Sequence, residues 1–231
     1  MGILRYLAMT AGELQSKPQP DFPVAWMSCH FSPNNSGLSN IPTSLPANSM
    51  LILDDCFPFQ NHDKNIIADQ LTEIFSRFQI KKLLLDFQRP KTEDLINLHA
   101  HLCATLPCAI AVTESYAEKN DCTVFLSPPP LHRALKDHIA PWKAREIWLE
   151  IAPATACYTV TENGCREEAD SPSEENYLHH DEILHVNYQI TAWHDRVEFR
   201  LRRTQSEIAH LLKEAETLGI STAVGLYQEL K

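Results

Sequence analysis

Polar side chains gather where the apolar runs of this chain stop. His30, Asp54, Asp55, Asp86, Gln88, Glu114, Ser127, Glu150, Tyr227 and Glu229 fall at or just past the ends of short hydrophobic segments. In a β/α barrel such positions share one rim, because parallel strands deliver their C-terminal ends to a common mouth. Carboxylates facing one another there suit acid/base or glycosyl-transfer chemistry. Singly, each also has a plain role, since Asp and Glu cap helices and start turns. From this set Asp86, Glu114 and Glu229 are the catalytic candidates. His30, Asp54, Asp55, Gln88 and Tyr227, with Tyr116, are the ligand-binding candidates. Alternation along a strand sends Asp54 and Asp55 to opposite faces, so the two do not form a dyad. With His62 and Asp63 they offer metal-binding atom types, but at a spacing that matches no ligand pattern. No metal and no cofactor is expected. G-x-S-x-G is absent, and the six glycines form neither a G-x-G nor a Walker motif, which sets aside nucleophile-elbow, dinucleotide and P-loop chemistry.

The elements that must position these residues follow from periodicity. Ile3–Thr10 and Phe22–His30 read as strands around a loop over Gly12–Asp21. Ser32–Ser49 is rich in Ser, Pro and Asn and reads as a long loop. Met50–Asp54, Lys82–Phe87 and Cys108–Thr113 are strands apolar on both faces. Between them, Asp63–Phe78 and Thr92–Leu106 carry apolar residues at helical spacing behind Asp63 and Thr92 as N-caps. This is a βαβαβ unit, and two-faced apolar strands require a parallel sheet covered by helices. Cys122–Leu126 and Glu146–Ile151 continue as strands, with a short helix over Pro130–Ile139. Tyr158–Thr161 with Asn163-Gly164 reads as strand and turn, and Arg166–Asp181 as an exposed acidic excursion. His185–Trp193 and Arg196–Arg202 alternate around His194-Asp195 as a hairpin. Gln205–Leu218 is an amphipathic helix capped by Thr204 and stopped at Gly219, and Ser221–Leu226 is a closing strand. The expected fold is α/β: an irregular (β/α)8 TIM-like barrel with a β-hairpin excursion near the C-terminus, in a single domain over 1–231. An open α/β sheet is the alternative.

Composition narrows the function classes. Twenty Lys and Arg against thirty Asp and Glu give a formal charge of −10. The densest basic run, Arg196, Arg200, Arg202 and Arg203, is interrupted by Glu198, so nucleic acid is not an expected partner. No apolar stretch is long enough to span a membrane as a helix. Seven cysteines, an odd number without C-x-x-C, fit buried thiols in a reducing compartment. Met1–Gln15 lacks the signal-peptide pattern, and cytoplasmic residence is the expectation.

Two stretches resemble a known family. Lys81–Pro90 (KKLLLDFQRP) is similar to the fourth strand of family 18 chitinase-like glycoside hydrolases, which carries a D-G-x-D-x-D-x-E run. Ala223–Leu230 resembles their closing strand, which presents an aromatic to the sugar. Aligned on Asp86, the acid-catalyst position is Gln88, and the two earlier aspartates are Lys81 and Leu84. A neutral amide cannot protonate a glycosidic leaving group. The resemblance therefore implies a barrel that binds a carbohydrate or similar polar ligand without the family's hydrolysis. Two alternatives stand beside it. One is an active hydrolase using other rim carboxylates. The other is a scaffold whose 166–181 excursion and hairpin meet a protein partner.

Overall fold

A computed structural model describes residues 2–17, 21–34, 36–60, 62–117, 122–168 and 177–230. In chain order these form β1 (Leu4–Met9), α1 (Ala11–Ser16), β2 (Val24–Phe31), β3 (Leu38–Ser39) and β4 (Met50–Asp54). Then come α2 (Lys64–Phe78), β5 (Lys82–Asp86), α3 (Glu93–Thr105), β6 (Ala109–Thr113), β7 (Thr123–Leu126), α4 (Leu135–Ile139) and β8 (Ile147–Glu150). The chain continues through β9 (Ala154–Thr161), β10 (Gly164–Glu168), β11 (His179–Asp181), β12 (Val186–Ala192) and β13 (Arg196–Arg203). It returns through α5 (Gln205–Thr217) to β14 (Thr222–Leu226).

Eight parallel strands, β1, β2, β4, β5, β6, β7, β8 and β14, pair in that order, and β14 pairs back onto β1. The sheet is thus a closed barrel. β3 lies outside the ring as an antiparallel partner of β2. The two-faced strands are the reason the ring forms. Their inward side chains, among them Tyr6, Ala8, Met50, Ile52, Leu84, Ala111, Phe125, Trp148 and Val224, fill the interior. The outward ones, such as Leu51, Leu53, Leu83, Leu85 and Val112, pack under Ile67, Leu71 and Ile74 of α2 and Leu95, Leu98 and Leu102 of α3. On the other side, Leu7, Val124, Leu149 and Ala223 pack under α4 and α5.

Local signals set the helix ends. The Asp63 carboxylate accepts from the Asn65 amide (2.8 Å), and the Thr92 hydroxyl accepts from Leu95 (3.3 Å). Thr204 and Glu207 form a capping box, and Gly219 takes the left-handed conformation (φ 85°) just past α5. Such a residue commonly ends a helix because glycine has no Cβ to clash there. A correction falls at Gly12–Asp21, expected as a loop. Residues 11–16 are α1, because Thr10 and Glu13 form a capping box that starts a turn and a half despite Gly12.

The expected hairpin is part of something larger. β9 to β13 form a five-stranded antiparallel sheet in the order β10-β9-β13-β12-β11, inserted between β8 and α5. The hairpin is β12–β13; all eight residues of β13 also pair with β9. Of the acidic excursion, 169–176 lie outside the described residues, and its two ends are strand, in β10 and β11. Arg203, at the end of β13, ties this sheet to the barrel. It is 1% exposed and donates to the carbonyls of Pro129 (2.8 Å) and Leu184 (3.1 Å). Burial pulls its guanidinium down to about 10, against the opposing pull of Glu207.

Candidate functional site

The polar side chains of the mouth come from neighbouring strand ends. Across β2, β4 and β5, His30 pairs with Asp54, and Asp54 pairs with Asp86. In a parallel ladder, residues in register face the same way, so the three side chains form a row. His30 joins it through an irregularity. The β2–β4 register shifts between Trp26 and Cys29. Trp26 and Cys29 both pack in the outer core, which strict alternation would forbid. The extra residue flips parity and aims His30 inward, as bulges do near functional sites. Its Nδ1 lies 2.7 Å from both carboxylate oxygens of Asp54. The Cys56 amide donates to Asp54 Oδ1 at 3.0 Å. The Gln88 side-chain amide donates to Asp86 Oδ1 at 2.5 Å.

Opposite this row stands Glu150, at the end of β8 and in register with Val224. Asp54, Asp86 and Glu150 line one cavity of about 70 Å³, walled by Ala8, Met27, Ile52, Leu84, Phe125 and residues 224–226. The apolar wall governs its electrostatics. Desolvation, then the charges of Asp86 and Glu229, push Glu150 up to about 7. Asp86 is also raised: burial, helped by the charges of Asp54 and Asp55, outweighs the hydrogen bond from Gln88. A carboxyl that keeps its proton near neutrality can act as a general acid. In the sequence Glu150 is one strand-end acid among ten polar positions, and nothing local marks it out.

The other candidates occupy distinct places. Asp55 is 2% exposed and accepts from the amides of Gln88 (2.8 Å) and Arg89 (3.0 Å). Arg89 reciprocates, donating to the carbonyls of Asp55 and Cys56, each at 2.6 Å. Tyr116 lies beneath the same loop, its hydroxyl shared between the carbonyls of Arg89 (3.1 Å) and Pro90 (3.0 Å). These residues lock the loops after β4 and β5 to each other. Glu114 is exposed on the turn after β6 and is not among the cavity-lining residues; its charge is felt by His138. Glu229 is exposed beyond β14, close enough for its charge to act on Glu150, and borders a separate cleft of about 410 Å³ with Arg202 and Gln205. Tyr227 packs against the outer core under α5. The structure thus brings together His30, Asp54, Asp86 and Gln88, adds Glu150, and leaves Glu114 apart.

Beside the mouth is a cleft of about 420 Å³ lined by Ser32, Pro33, Asn34, Ser36, Phe57, Pro58, Gln60 and His62. Phe57 is 40% exposed, and its ring meets His30 edge-on with centroids 6.3 Å apart. Cys56, also exposed, completes this corner. Desolvation and a hydrogen bond to Asp54 push its thiol up to about 11.

No family model matches the sequence, and no curated protein matches it. The fold does have relatives among solved structures. A glycoside hydrolase family 18 N-acetylglucosaminidase from Paenibacillus barengoltzii superposes with a TM-score of 0.60 at 8% identity, covering 98% of this chain and 96% of that one. A chitinase-like agglutinin from Robinia pseudoacacia gives 0.57 at 10% identity, covering 98% and 95%. A family 18 chitinase from Cycas revoluta, solved with (GlcNAc)3, gives 0.52 at 10% identity, covering 96% and 94%. The Lys81–Pro90 stretch contains β5, which is the fourth strand of the ring, and β14 is the closing eighth, as the sequence resemblance implies. By fold, this chain is a closed eight-stranded β/α barrel similar to those of these family 18 structures.

Proposed function

We propose that the barrel mouth binds a carbohydrate or similar polyhydroxylated ligand and does not carry out the hydrolysis typical of family 18. The observation that carries this reading is Gln88. It stands at the acid-catalyst position of the fourth strand and spends its amide on Asp86, so the proton donor of that mechanism is missing. What remains suits binding. Asp54 and Asp86 offer acceptors for hydroxyl groups. The small cavity admits a ligand substituent, and the Phe57 cleft offers a flat apolar face beside it. One structural neighbour is itself named an agglutinin, and another was solved with (GlcNAc)3; both support a sugar as the ligand class. Cys56, Cys103 and Cys165 are exposed thiols outside any disulfide, which supports a reducing, cytoplasmic setting.

A second reading rests on Glu150. A carboxyl held near pH 7 beside Asp86 has the properties of a general acid with a carboxylate partner. On that reading the protein is a hydrolase whose acid comes from the seventh strand of the ring.

Calorimetric titration with (GlcNAc)3 and turnover assays on a panel of aryl glycosides separate the two. The binding reading expects a measurable Kd, weakened at least about tenfold in Asp86→Asn, and no turnover. Turnover abolished in Glu150→Gln replaces it with the hydrolase reading. Neither binding nor turnover across the panel removes both.

A further inference from the structure

The corner where β2 meets β4 adds His30 and Cys56 to Asp54, two side chains that neither reading of the mouth uses. One ring nitrogen of His30, a carboxylate oxygen of Asp54 and the Cys56 sulfur all lie within 4.8 Å of one another. This is the one His/Cys/Asp/Glu group of that kind among the described residues. We propose that these three side chains form a binding site for a thiophilic divalent cation of the zinc class, with an open coordination position at the barrel mouth.

Donor chemistry selects the ion. One imidazole, one carboxylate and one sulfur suit zinc; magnesium and calcium prefer all-oxygen shells. Three protein ligands plus one free position is the pattern of zinc sites that keep a water or take a ligand atom. Tetrahedral zinc at ordinary bond lengths places such donors about 3.3–3.6 Å apart. The His30–Asp54 contact of 2.7 Å and the 4.8 Å span bracket that range, so small side-chain rotations bring the donors into place.

The surroundings hold the donors ready. The β2 irregularity turns His30 toward Asp54. The Cys56 amide fixes the Asp54 carboxylate. Arg89 clamps the carbonyls of Asp55 and Cys56, and the Asp55 carboxylate clamps the facing loop in return. Backbone hydrogen bonds thus set the Asp-x-Cys turn and hold the exposed Cys56 thiol against the Asp54 carboxylate. Charge favours a cation as well. Asp54, Asp86 and Glu150 crowd one cavity, and Asp54 lines it, so an ion on Asp54 would border the mouth. The sequence expectation of no metal came from reading His62 and Asp63 with Asp54. The partners are instead 24 residues upstream of Asp54 and two residues downstream of it, and the upstream one is reachable only through the register shift.

The site shares Asp54 with the proposed sugar-binding mouth but does not require that a sugar bind there, and its test uses metal alone. Zinc competition against a chromogenic chelator, followed by cobalt(II) as a spectroscopic probe, is run on the full chain. The expected result is one equivalent bound per chain and a sulfur-to-cobalt charge-transfer band. Cys56→Ser should remove that band and weaken zinc at least about tenfold. His30→Gln should weaken zinc similarly while melting and circular dichroism stay as in the parent. Cys165→Ser, on the exposed inserted sheet, should change nothing. Less than one equivalent bound, or a band that survives Cys56→Ser or disappears in Cys165→Ser, overturns the assignment.

Discussion

At the floor of the ring, the Lys82 ammonium lies 4.5 Å from the centroid of the Trp148 ring and donates to the Thr222 hydroxyl at 2.5 Å. Glu146 accepts from the Trp148 indole at 3.1 Å, and its charge steadies Lys82 against the desolvation that pulls the ammonium down. At the mouth, Asp54, Asp86 and Glu150 share one small cavity, and His30 pairs with Asp54 beside it. The same eight strands therefore end in two environments. The floor compensates the half-buried Lys82 ammonium with a ring, a hydroxyl and an acid. The mouth keeps acids close and raises the proton affinity of Asp86 and Glu150. Like charges gathered beside apolar walls cost stability, so the floor is where this barrel is held together and the mouth is where it is available for chemistry.

Breaking the floor should have the largest effect. Trp148 is fully buried, and Trp148→Ala is expected to cost about 3–5 kcal/mol, read by urea denaturation. A loss below about 1 kcal/mol would mean that the floor does not carry the fold. Next comes Asp55, which belongs to the mouth by position but to the scaffold by its bonds. Asp55→Ala leaves two loop amides without their acceptor and should cost about 1.5–3 kcal/mol, with ligand binding weakened because the loops after β4 and β5 come apart.

A subtler effect is the pH dependence of the mouth. Glu150 has its folded value raised from an ordinary 4.5 to about 7. Between those values the folded state holds more protons than the unfolded state, so this group's contribution falls as pH rises from about 4.5 through 7. Thermal melts should therefore show stability declining across that window. Glu150→Gln should flatten the decline and be the more stable protein at pH 8. An unchanged slope would place the acid in water rather than against the apolar wall. Smallest is Phe57→Ala. The ring is 40% exposed, so stability should stay within about 0.5 kcal/mol, while affinity for (GlcNAc)3 falls if the adjoining cleft is part of the sugar site.

Much of the barrel was legible in the sequence because its signals are local. Runs such as MLILD and KLLLD are apolar on both faces, and Asp63, Thr92 and Thr204 mark helix starts whatever lies around them. The site was legible only as a rim. Glu114, Glu150 and Glu229 are equivalent as strand-end acids. What separates them is which way each side chain points and how much solvent it keeps. Parity counted from Ala111, which is inward, would have turned Glu114 outward. No such count predicts the desolvation of Glu150, which depends on Phe125 and Val224 from other strands. His30 shows the opposite case. Simple alternation from Trp26 would have buried it in the outer core, and only the register shift brings it to Asp54. The inserted sheet was underestimated because pairing of β13 with β9 joins segments 35 or more residues apart at every position, which no local pattern encodes.

Because β14 supplies the pairing for both β1 and β8, the ring has no partner for either edge until residues 222–226 have left the ribosome. Up to that point the nascent chain carries an unfinished sheet with two open sides while the whole five-stranded insertion is being made. Assembly therefore waits on one late hydrogen-bonding event, and a stalled or truncated translation product lacking that segment would be a sticky open sheet rather than a smaller barrel.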